Sequence, residues 1–396
     1  MAGQYYNAKM TKIVSRDYVL CFLTQFTYLA AICLLIPTIP IYLLRFEAKA
    51  AEIGFLIGIF SISSLILRPI VGRALLKTQE RKFMIAGSVF FVFSFIAYHF
   101  APPFWPLMIV RIFHGIGLSL LTTAIFTLVA NITPAAHRGQ LISYFYLSGN
   151  LGFALGPYFG MLIINRFSFV VLFLVGTGLS LCSLFLSLRL DEKRVIPEEL
   201  PSLRIQSILS REAVPPAIIA FMLNVIWCTL SAFFPLHALK HGVSNPGIFF
   251  VFLALTLIVC RTLGGRILDI YDRKKVIILC LIAIIVALTL LLFSTTLPMF
   301  ILVAIVLGTG WAFLYPSILV LAIENAGSAL GPAMGTFTAF ADLGAGIGPM
   351  VMGIILQWTS YPIMFLCLAL TGVMIFPYFH YAIGKKRGVV LLKTAE

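Results

Sequence analysis

Long apolar runs recur along the whole chain, and the segments between them are short. Each run has about 18 residues or more, the length that an α-helix needs to cross the hydrocarbon core of a bilayer. Of the 396 residues, 61% are hydrophobic and 11% are charged, whereas about a quarter of a soluble domain is charged. A membrane β-barrel has shorter, alternating segments. The sequence therefore predicts an all-α polytopic membrane protein.

Charged residues and Pro/Gly breaks divide the apolar runs into twelve predicted spans. They lie at 18–44, 53–72, 83–101, 105–130, 140–164, 169–189, 214–239, 247–268, 275–296, 299–324, 331–356 and 361–383. The longest polar stretch falls between the sixth and seventh spans. The predicted domains are an N-terminal six-helix half at 1–189, a cytoplasmic linker at 190–213 and a C-terminal six-helix half at 214–396.

The basic residues are distributed unevenly over the two sides of the predicted membrane protein. With both termini in the cytoplasm, 23 of the 28 Lys and Arg residues lie on the cytoplasmic side and four on the other. The positive-inside rule favours this orientation. The formal net charge of +14 is therefore attributed to contact with anionic lipid headgroups, and no nucleic-acid partner is expected.

The sequence lacks two common enzyme motifs. It contains no GxxxxGK[ST] loop and no HExxH pair, which are typical of ATP-hydrolysing and zinc-dependent enzymes. The predicted loops are too short for a catalytic domain. No enzymatic activity, cofactor or metal is expected.

Three motifs repeat in order between the two halves. RPIVGRALL at 68–76 aligns with RTLGGRILD at 261–269, and HGIG at 114–117 with LGTG at 307–310, both at an offset of 193 residues. GNLGFALGP at 149–157 aligns with ADLGAGIGP at 341–349 at an offset of 192 residues. The spacing predicts two parallel structural repeats related by an axis along the membrane normal.

Twelve spans, a central loop and these repeats resemble the major facilitator superfamily over the whole chain. The loop after span 8, GRILDIYDRKK, is similar to the family's G-x-L-x-D-R-x-G-R-[KR] signature through Gly265, Arg266, Asp269 and Arg273. The loop after span 2 is degenerate: it keeps Gly72 and Arg73 but has Leu76 at the acidic position. The resemblance implies a conformational latch that is intact in the second half and altered in the first.

Span 5 resembles the G-x-x-x-G-P-x-x-G pattern of antiporter branches of that family. It carries Gly152, Gly156, Pro157 and Gly160, and span 11 repeats the pattern with Gly348 and Pro349. Small residues permit close helix packing, and proline removes a backbone hydrogen bond and permits a bend. The pattern predicts a conformational or packing role, with tight packing alone as the alternative.

Arg111 and His114 open the span-4 motif inside an apolar run. Charges within a membrane usually face water or a polar partner, and a histidine suits reversible protonation. In the resembling families an arginine at this place takes part in proton or substrate coupling. Both residues are candidates for coupling, with structural hydrogen bonding as the alternative, and Arg111 is expected to face a wet central cavity and to bias an acid.

Asp342 is the clearest acid inside an apolar segment, and it is the first candidate for the proton-coupling site. A desolvated carboxylate takes up a proton more readily than one in water. Its repeat partner is Asn150, which cannot titrate. The alternative is a carboxylate held by a neighbouring helix.

The resemblance implies that spans 1 and 7 line a central substrate cavity. Polar and aromatic residues of these and neighbouring spans are candidates to contact the substrate: Gln25, Tyr28, Tyr146, Asn150, Asn224, Trp227, Trp311 and Tyr315.

The resemblance to the twelve-span drug:proton antiporter branch predicts alternating access with export of a small organic compound against protons. Uptake of a small anion such as a carboxylate siderophore, and lipid transport, remain alternatives; a membrane receptor is disfavoured by the repeated motifs. The expected setting is the bacterial inner membrane, with a small molecule, protons and the bilayer as partners and a monomeric protein.

Overall fold

The computed structural model describes residues 15–75, 77–102, 104–134, 138–191, 210–263, 271–326 and 330–382. This part of the chain is helical, with no strand among the described residues. The long helices are α1 Arg16–Leu44, α2 Ala50–Ala74, α3 Glu80–Phe100, α4 Trp105–Ile132, α5 Arg138–Arg166, α6 Phe169–Leu188, α7 Val214–Lys240, α8 Gly247–Leu263, α9 Arg273–Phe293, α10 Leu297–Ala326, α11 Leu330–Trp358 and α12 Tyr361–Ala382.

The predicted all-α class is confirmed, and every predicted span corresponds to one helix. Within the described ranges, eleven helices are long and apolar enough to cross a membrane, and α8 is a shorter apolar helix. The predicted end of span 8, at 268, lies outside the described residues. The predicted end of span 12, at 383, also lies outside them. The other helix ends lie within three residues of the predicted ends. Most helices extend beyond the apolar runs through polar residues such as Glu80, whereas α9 ends at Phe293, three residues before the predicted end.

Several helices begin where the sequence has a starting signal. Proline occupies the first turn of α4 and of α7, where its missing N–H costs no hydrogen bond. The Ser168 side chain accepts a hydrogen bond from the Val171 N–H at the start of α6. Asp272 does the same for the Lys274 N–H at the start of α9. These side chains satisfy backbone donors that have no partner within the helix.

The chain divides into two compact units. The first unit comprises Met1–Thr38 and Ser63–Glu199, and the second comprises Ile39–Ile62 and Leu200–Glu396. The end of α1 and the first half of α2 therefore group with the second unit although they precede the predicted linker.

Helices α1 and α5 of the first unit approach each other so closely that their backbones touch. A Cβ atom added to Gly152 would lie 3.0 Å from the Ala30 nitrogen, and one added to Gly156 would lie 2.9 Å from the Cys33 carbonyl carbon. Contacts shorter than 3.4 Å are tighter than ordinary van der Waals packing. The glycines of the predicted span-5 pattern thus lie where no side chain fits.

Helices α7 and α11 repeat this arrangement in the second unit. A Cβ atom on Gly344 would lie 2.9 Å from the Phe221 carbonyl carbon, and one on Gly348 would lie 2.7 Å from Val225 Cα. Gly348 follows Gly156 by 192 residues, and Val225 follows Cys33 by the same number. The offset read from the sequence is therefore also the offset between equivalent helix contacts.

The span-4 repeat has a structural counterpart as well. A Cβ atom on Gly117 would lie 3.1 Å from the Gly87 carbonyl oxygen on α3, and one on Gly310 would lie 2.7 Å from the Cys280 carbonyl oxygen on α9. Both members of the second pair follow the first pair by 193 residues. Small residues in the HGIG and LGTG motifs are thus explained by close packing of α3 with α4 and of α9 with α10.

The first half of α2 packs on α11 within the second unit. A Cβ atom added to Gly54 would clash with the Pro349 carbonyl oxygen, and one added to Gly58 would clash with the Gly346 carbonyl oxygen. A side chain at either glycine would displace the α11 backbone. This contact explains why residues 39–62 group with the second unit.

Replacing Gly156 by alanine is expected to destabilise the protein. The new methyl group would collide with Cys33, and overpacking of this kind costs about 1–3 kcal/mol. The measurement is the midpoint temperature of unfolding of the purified protein in detergent.

Gly178→Ala is the matched control, because a Cβ atom at Gly178 on α6 meets nothing within 4 Å. Alanine there should be neutral or stabilising, since it favours a helix by up to about 1 kcal/mol over glycine. Equal midpoints for the two variants would contradict the close approach of α1 and α5.

Candidate functional site

Arg111 and His114 belong to one buried polar cluster in the first unit. The Tyr98 hydroxyl of α3 lies 3.0 Å from His114 Nδ1 and accepts a hydrogen bond from an Arg111 guanidinium nitrogen at 3.4 Å. Arg111 is 6% exposed, and the other two side chains are fully buried. The hydroxyl therefore links the two α4 residues that the sequence singled out.

Aromatic rings enclose this cluster. The His114 ring makes edge contacts with Phe91 and Phe95, at centroid distances of 4.5 and 5.4 Å, and Tyr98 stacks on Phe173 of α6 at 5.6 Å. Phe91 also contacts the ring of Tyr28 on α1, 5.9 Å away. Helices α1, α3, α4 and α6 thus all contribute to the surroundings of His114.

The described surroundings of Arg111 belong to the first unit, and the expected wet cavity beside it stays a prediction. Its side chain is buried against a tyrosine hydroxyl within the first unit. Burying a charged group without partners costs several kcal/mol, so hydrogen bonding to Tyr98 lowers the cost of placing the guanidinium here. The sequence did not point to Tyr98, because a tyrosine in an apolar run carries no sign of its partner on another helix.

The other first-unit candidates lie on α1 and α5. Gln25 is 2% exposed, and its Nε2 atom would lie 3.2 Å from a Cβ atom on Gly149. Among the described residues, its Oε1 atom and the Tyr28 hydroxyl have no hydrogen-bond partner. Buried polar groups are normally hydrogen-bonded, so these two atoms are available to water or a ligand. Asn150 is half-buried, and Tyr146 is 49% exposed and contacts Phe126.

In the second unit, Trp227 of α7 lies against Trp311 of α10. The ring centroids are 4.7 Å apart with an interplanar angle of 33°. Trp311 is buried and Trp227 half-buried. Asn224, one turn before Trp227, donates a hydrogen bond to the Ala220 carbonyl oxygen at 2.9 Å, so its amide oxygen is left to accept hydrogen bonds.

Asp342 of α11 lies beside α7 in the same unit. It is half-buried, and its carboxylate is within electrostatic range of the Cys228 thiol. Tyr315 of α10 contacts the Phe337 ring on α11 at a centroid distance of 5.8 Å. Helices α7, α10 and α11 thus bring the predicted acid and the predicted aromatic residues into one unit, and Cys228 and Phe337 are members that the sequence did not single out.

The candidate conformational residues are only partly described. Pro157 and Pro349 are buried inside α5 and α11, and near the end of α2 Gly72 has open space around its Cβ position and Arg73 is exposed. Gly265, Arg266 and Asp269 lie outside the described residues, as does the side chain of Arg273. Their latch role stays a prediction. Among the described residues, no group of three or more His, Cys, Asp and Glu could hold a metal ion.

The chain matches the profile of the Major Facilitator Superfamily at residues 21–260 and 246–389. It is similar to an uncharacterized MFS-type transporter of Methanocaldococcus jannaschii, with 24% identity covering 87% of this chain and 92% of the relative. Multidrug resistance protein 2 of Bacillus subtilis is 24% identical, with 86% and 89% covered. The quinolone resistance protein NorA of Staphylococcus aureus is 23% identical, with 88% and 93% covered.

Solved structures share the fold at lower sequence identity. The nucleoside transporter NupG has a TM-score of 0.75 at 15% identity, covering 93% of this chain and 100% of that one. A POT family transporter in complex with a thioalcohol-conjugated peptide has a TM-score of 0.76 at 13% identity, covering 93% and 97%. These likenesses confirm the twelve-span fold.

Tyr98→Phe is expected to lower the thermal stability of the protein. The change removes the hydroxyl that His114 and Arg111 share, and a buried polar group that loses its partner costs about 1–3 kcal/mol. The measurement is the unfolding midpoint in detergent.

Tyr158→Phe, at a half-buried tyrosine of α5 in the same unit, is the matched control. If Tyr98→Phe and Tyr158→Phe unfold at the same temperature as the parent protein, the Tyr98 hydroxyl does not stabilise the buried cluster.

Proposed function

Because the chain belongs to the Major Facilitator Superfamily and is a membrane transporter related to its drug-efflux members, we propose that it exports a small lipophilic organic compound in exchange for protons. Two of its relatives carry drug-resistance names, multidrug resistance protein 2 and the quinolone resistance protein. No ATP-binding motif is present in the sequence, so a proton gradient is the proposed energy source.

The observation that carries the proposal is the combination of an aromatic pair and a carboxylate on packed helices of the second unit. Trp227 and Trp311 offer indole faces, which bind flat apolar rings and organic cations. Asp342 supplies a negative charge in the same three-helix group. A lipophilic cation suits this chemistry better than a sugar, whose hydroxyl groups require many polar partners.

Asp342 is the proposed proton site. A carboxylate between membrane helices is costly when charged, so either a proton or a cationic substrate stabilises it. If the two compete for the same carboxylate, protonation from one side of the membrane releases the substrate, and deprotonation on the other side permits the next one to bind. This competition couples export to proton entry without any covalent step.

The close helix contacts support a mechanism of alternating access. Substrate sites in this family open to one side at a time as packed helix groups change position. Backbone contact through Gly156 and Gly348 would keep each packed helix pair rigid during such a change. Pro157 and Pro349 lie next to these contacts and would set the local bend of α5 and α11.

Asp342→Asn is expected to abolish substrate-dependent proton movement in proteoliposomes. The amide keeps the shape of the side chain but cannot take up a proton at neutral pH. The measurement uses a pH-sensitive dye inside the vesicles, an imposed pH gradient and tetraphenylphosphonium as a lipophilic cation, with a carboxylate siderophore and a sugar tested in parallel.

Asp191→Asn is the control, because Asp191 is a surface carboxylate paired with Arg16 at 3.6 Å, and it should transport like the parent protein. Proton movement opposite to cation movement supports export by antiport. Movement of both in the same direction, or full coupling in Asp342→Asn, would overturn the proposal, and coupling with the siderophore alone would favour anion uptake.

Trp311→Leu is expected to raise the tetraphenylphosphonium concentration for half-maximal transport by about 2- to 30-fold, the range of a lost cation–π contact. The measurement is the concentration dependence of transport at a fixed pH gradient. Trp105→Leu, at an exposed position that starts α4, serves as the control. An unchanged half-maximal concentration in Trp311→Leu would remove the aromatic pair from the substrate site.

A further inference from the structure

A cavity of about 580 Å³ lies in the second unit, where the ends of five helices, α2, α7, α9, α11 and α12, meet. Its lining includes His237, Lys240 and His241 of α7, Ser294 after α9, and Ser360 and Tyr361 at the start of α12. None of its lining residues belongs to the site proposed for the transported compound. The cavity therefore requires a separate explanation.

The depth of the cavity in the membrane follows from the helices that border it. The membrane-spanning helices α7, α9 and α11 end at Lys240, Phe293 and Trp358, and α2 and α12 begin at Ala50 and Tyr361. Trp358 is 81% exposed, and tryptophan and tyrosine are enriched at the membrane–water interface. The cavity thus lies at the level of the lipid headgroups, on the side predicted to face away from the cytoplasm.

Contacts with backbone carbonyl groups fix one ring nitrogen of each histidine as a hydrogen-bond donor. His237 Nε2 lies 3.2 Å from the Ser294 oxygen, and His241 Nδ1 lies 2.9 Å from the His237 oxygen. The two rings are in contact but tilted, with centroids 4.4 Å apart and an interplanar angle of 59°. His237 is 3% exposed, and among the described residues its Nδ1 atom has no partner. The contacts with carbonyl groups at helix ends therefore engage one nitrogen of each ring and leave the second nitrogen for another partner.

The charge of the lining favours an anion. Lys240 supplies a permanent positive charge to the lining, and no lining residue is a carboxylate. The Lys240 ammonium nitrogen lies 5.9 Å from the Tyr361 ring centroid. The N-terminus of α12 at Tyr361, preceded by Ser360, adds the positive end of a helix dipole. A metal ion fits poorly, since only two histidines and no acidic group line the cavity.

We propose that this cavity binds the phosphate group of an anionic lipid headgroup. Lys240 supplies the charge and, together with His241, borders the cavity; Ser360 and Tyr361 supply hydroxyl donors. Phosphate is the anionic group that a bilayer presents at this depth, and a soluble phosphate would use the same contacts.

The test is calorimetric titration of the purified full-length protein in uncharged detergent with dihexanoyl phosphatidylglycerol, and separately with inorganic phosphate. Lys240→Gln is expected to weaken binding by about tenfold or more, since a charge-assisted hydrogen bond is lost. His241→Gln should weaken it as well. Arg166→Gln removes one exposed positive charge outside the cavity, on the same predicted side, and should bind within about twofold of the parent protein.

The two titrations distinguish the sources of the phosphate. Tighter binding of the lipid than of inorganic phosphate supports a headgroup site, and equal binding supports a site for the soluble anion. No binding of either, or binding that is unchanged in Lys240→Gln, would overturn the proposal. Lys240 is exposed, so this variant is expected to fold, and no transport measurement enters the result.

Discussion

Direct contact between helix backbones is the constraint on which the rest of this structure depends. Water cannot satisfy backbone groups inside a bilayer, so helices must satisfy them internally and gain stability by close approach. In the first unit α5 reaches α1 through Gly152 and Gly156, and in the second α11 reaches α7 through Gly344 and Gly348. The side chains that precede these glycines, Asn150 and Asp342, are positioned by the same contacts. The candidate proton site therefore depends on glycines that have no chemistry of their own.

Polar groups inside the helical units are accommodated by hydrogen bonds that cross between helices. Arg111 and His114 share the Tyr98 hydroxyl, and His237 donates to the carbonyl oxygen of Ser294, 57 residues later in the chain. Each of these groups would be costly in hydrocarbon without its partner. These hydrogen bonds fix the register of the helices in each unit, because a shift of one helix by a turn would separate the donor from the acceptor.

The fold and the repeats could be predicted from the sequence because the bilayer imposes span length and because duplicated motifs keep their spacing. The 192-residue offset marked Gly156 and Gly348 as equivalent packing positions, but it did not identify their partners Cys33 on α1 and Val225 on α7. Tyr98 could not be predicted as the partner of Arg111, since hydropathy does not report which faces of two helices meet. The expectation that Arg111 faces a wet cavity stays a prediction, because the described contacts of Arg111 lie within one unit. The cavity at His237 depends on five separate helix ends, which no local sequence pattern brings together.

The two helix pairs also have a bearing on how such a protein can change over evolution. Asn150 and Asp342 occupy equivalent places beside equivalent glycine contacts, and they differ only in the atom that allows titration. The first unit thus has a position equivalent to the proposed proton site, with equivalent helix packing but with a side chain that does not titrate. A single replacement of an amide by a carboxylate there would place a second titratable group beside equivalent packing contacts without rebuilding the fold. Gene duplication would in this way have supplied a second position at which a titratable group can be gained or lost by mutation while the helix packing stays the same.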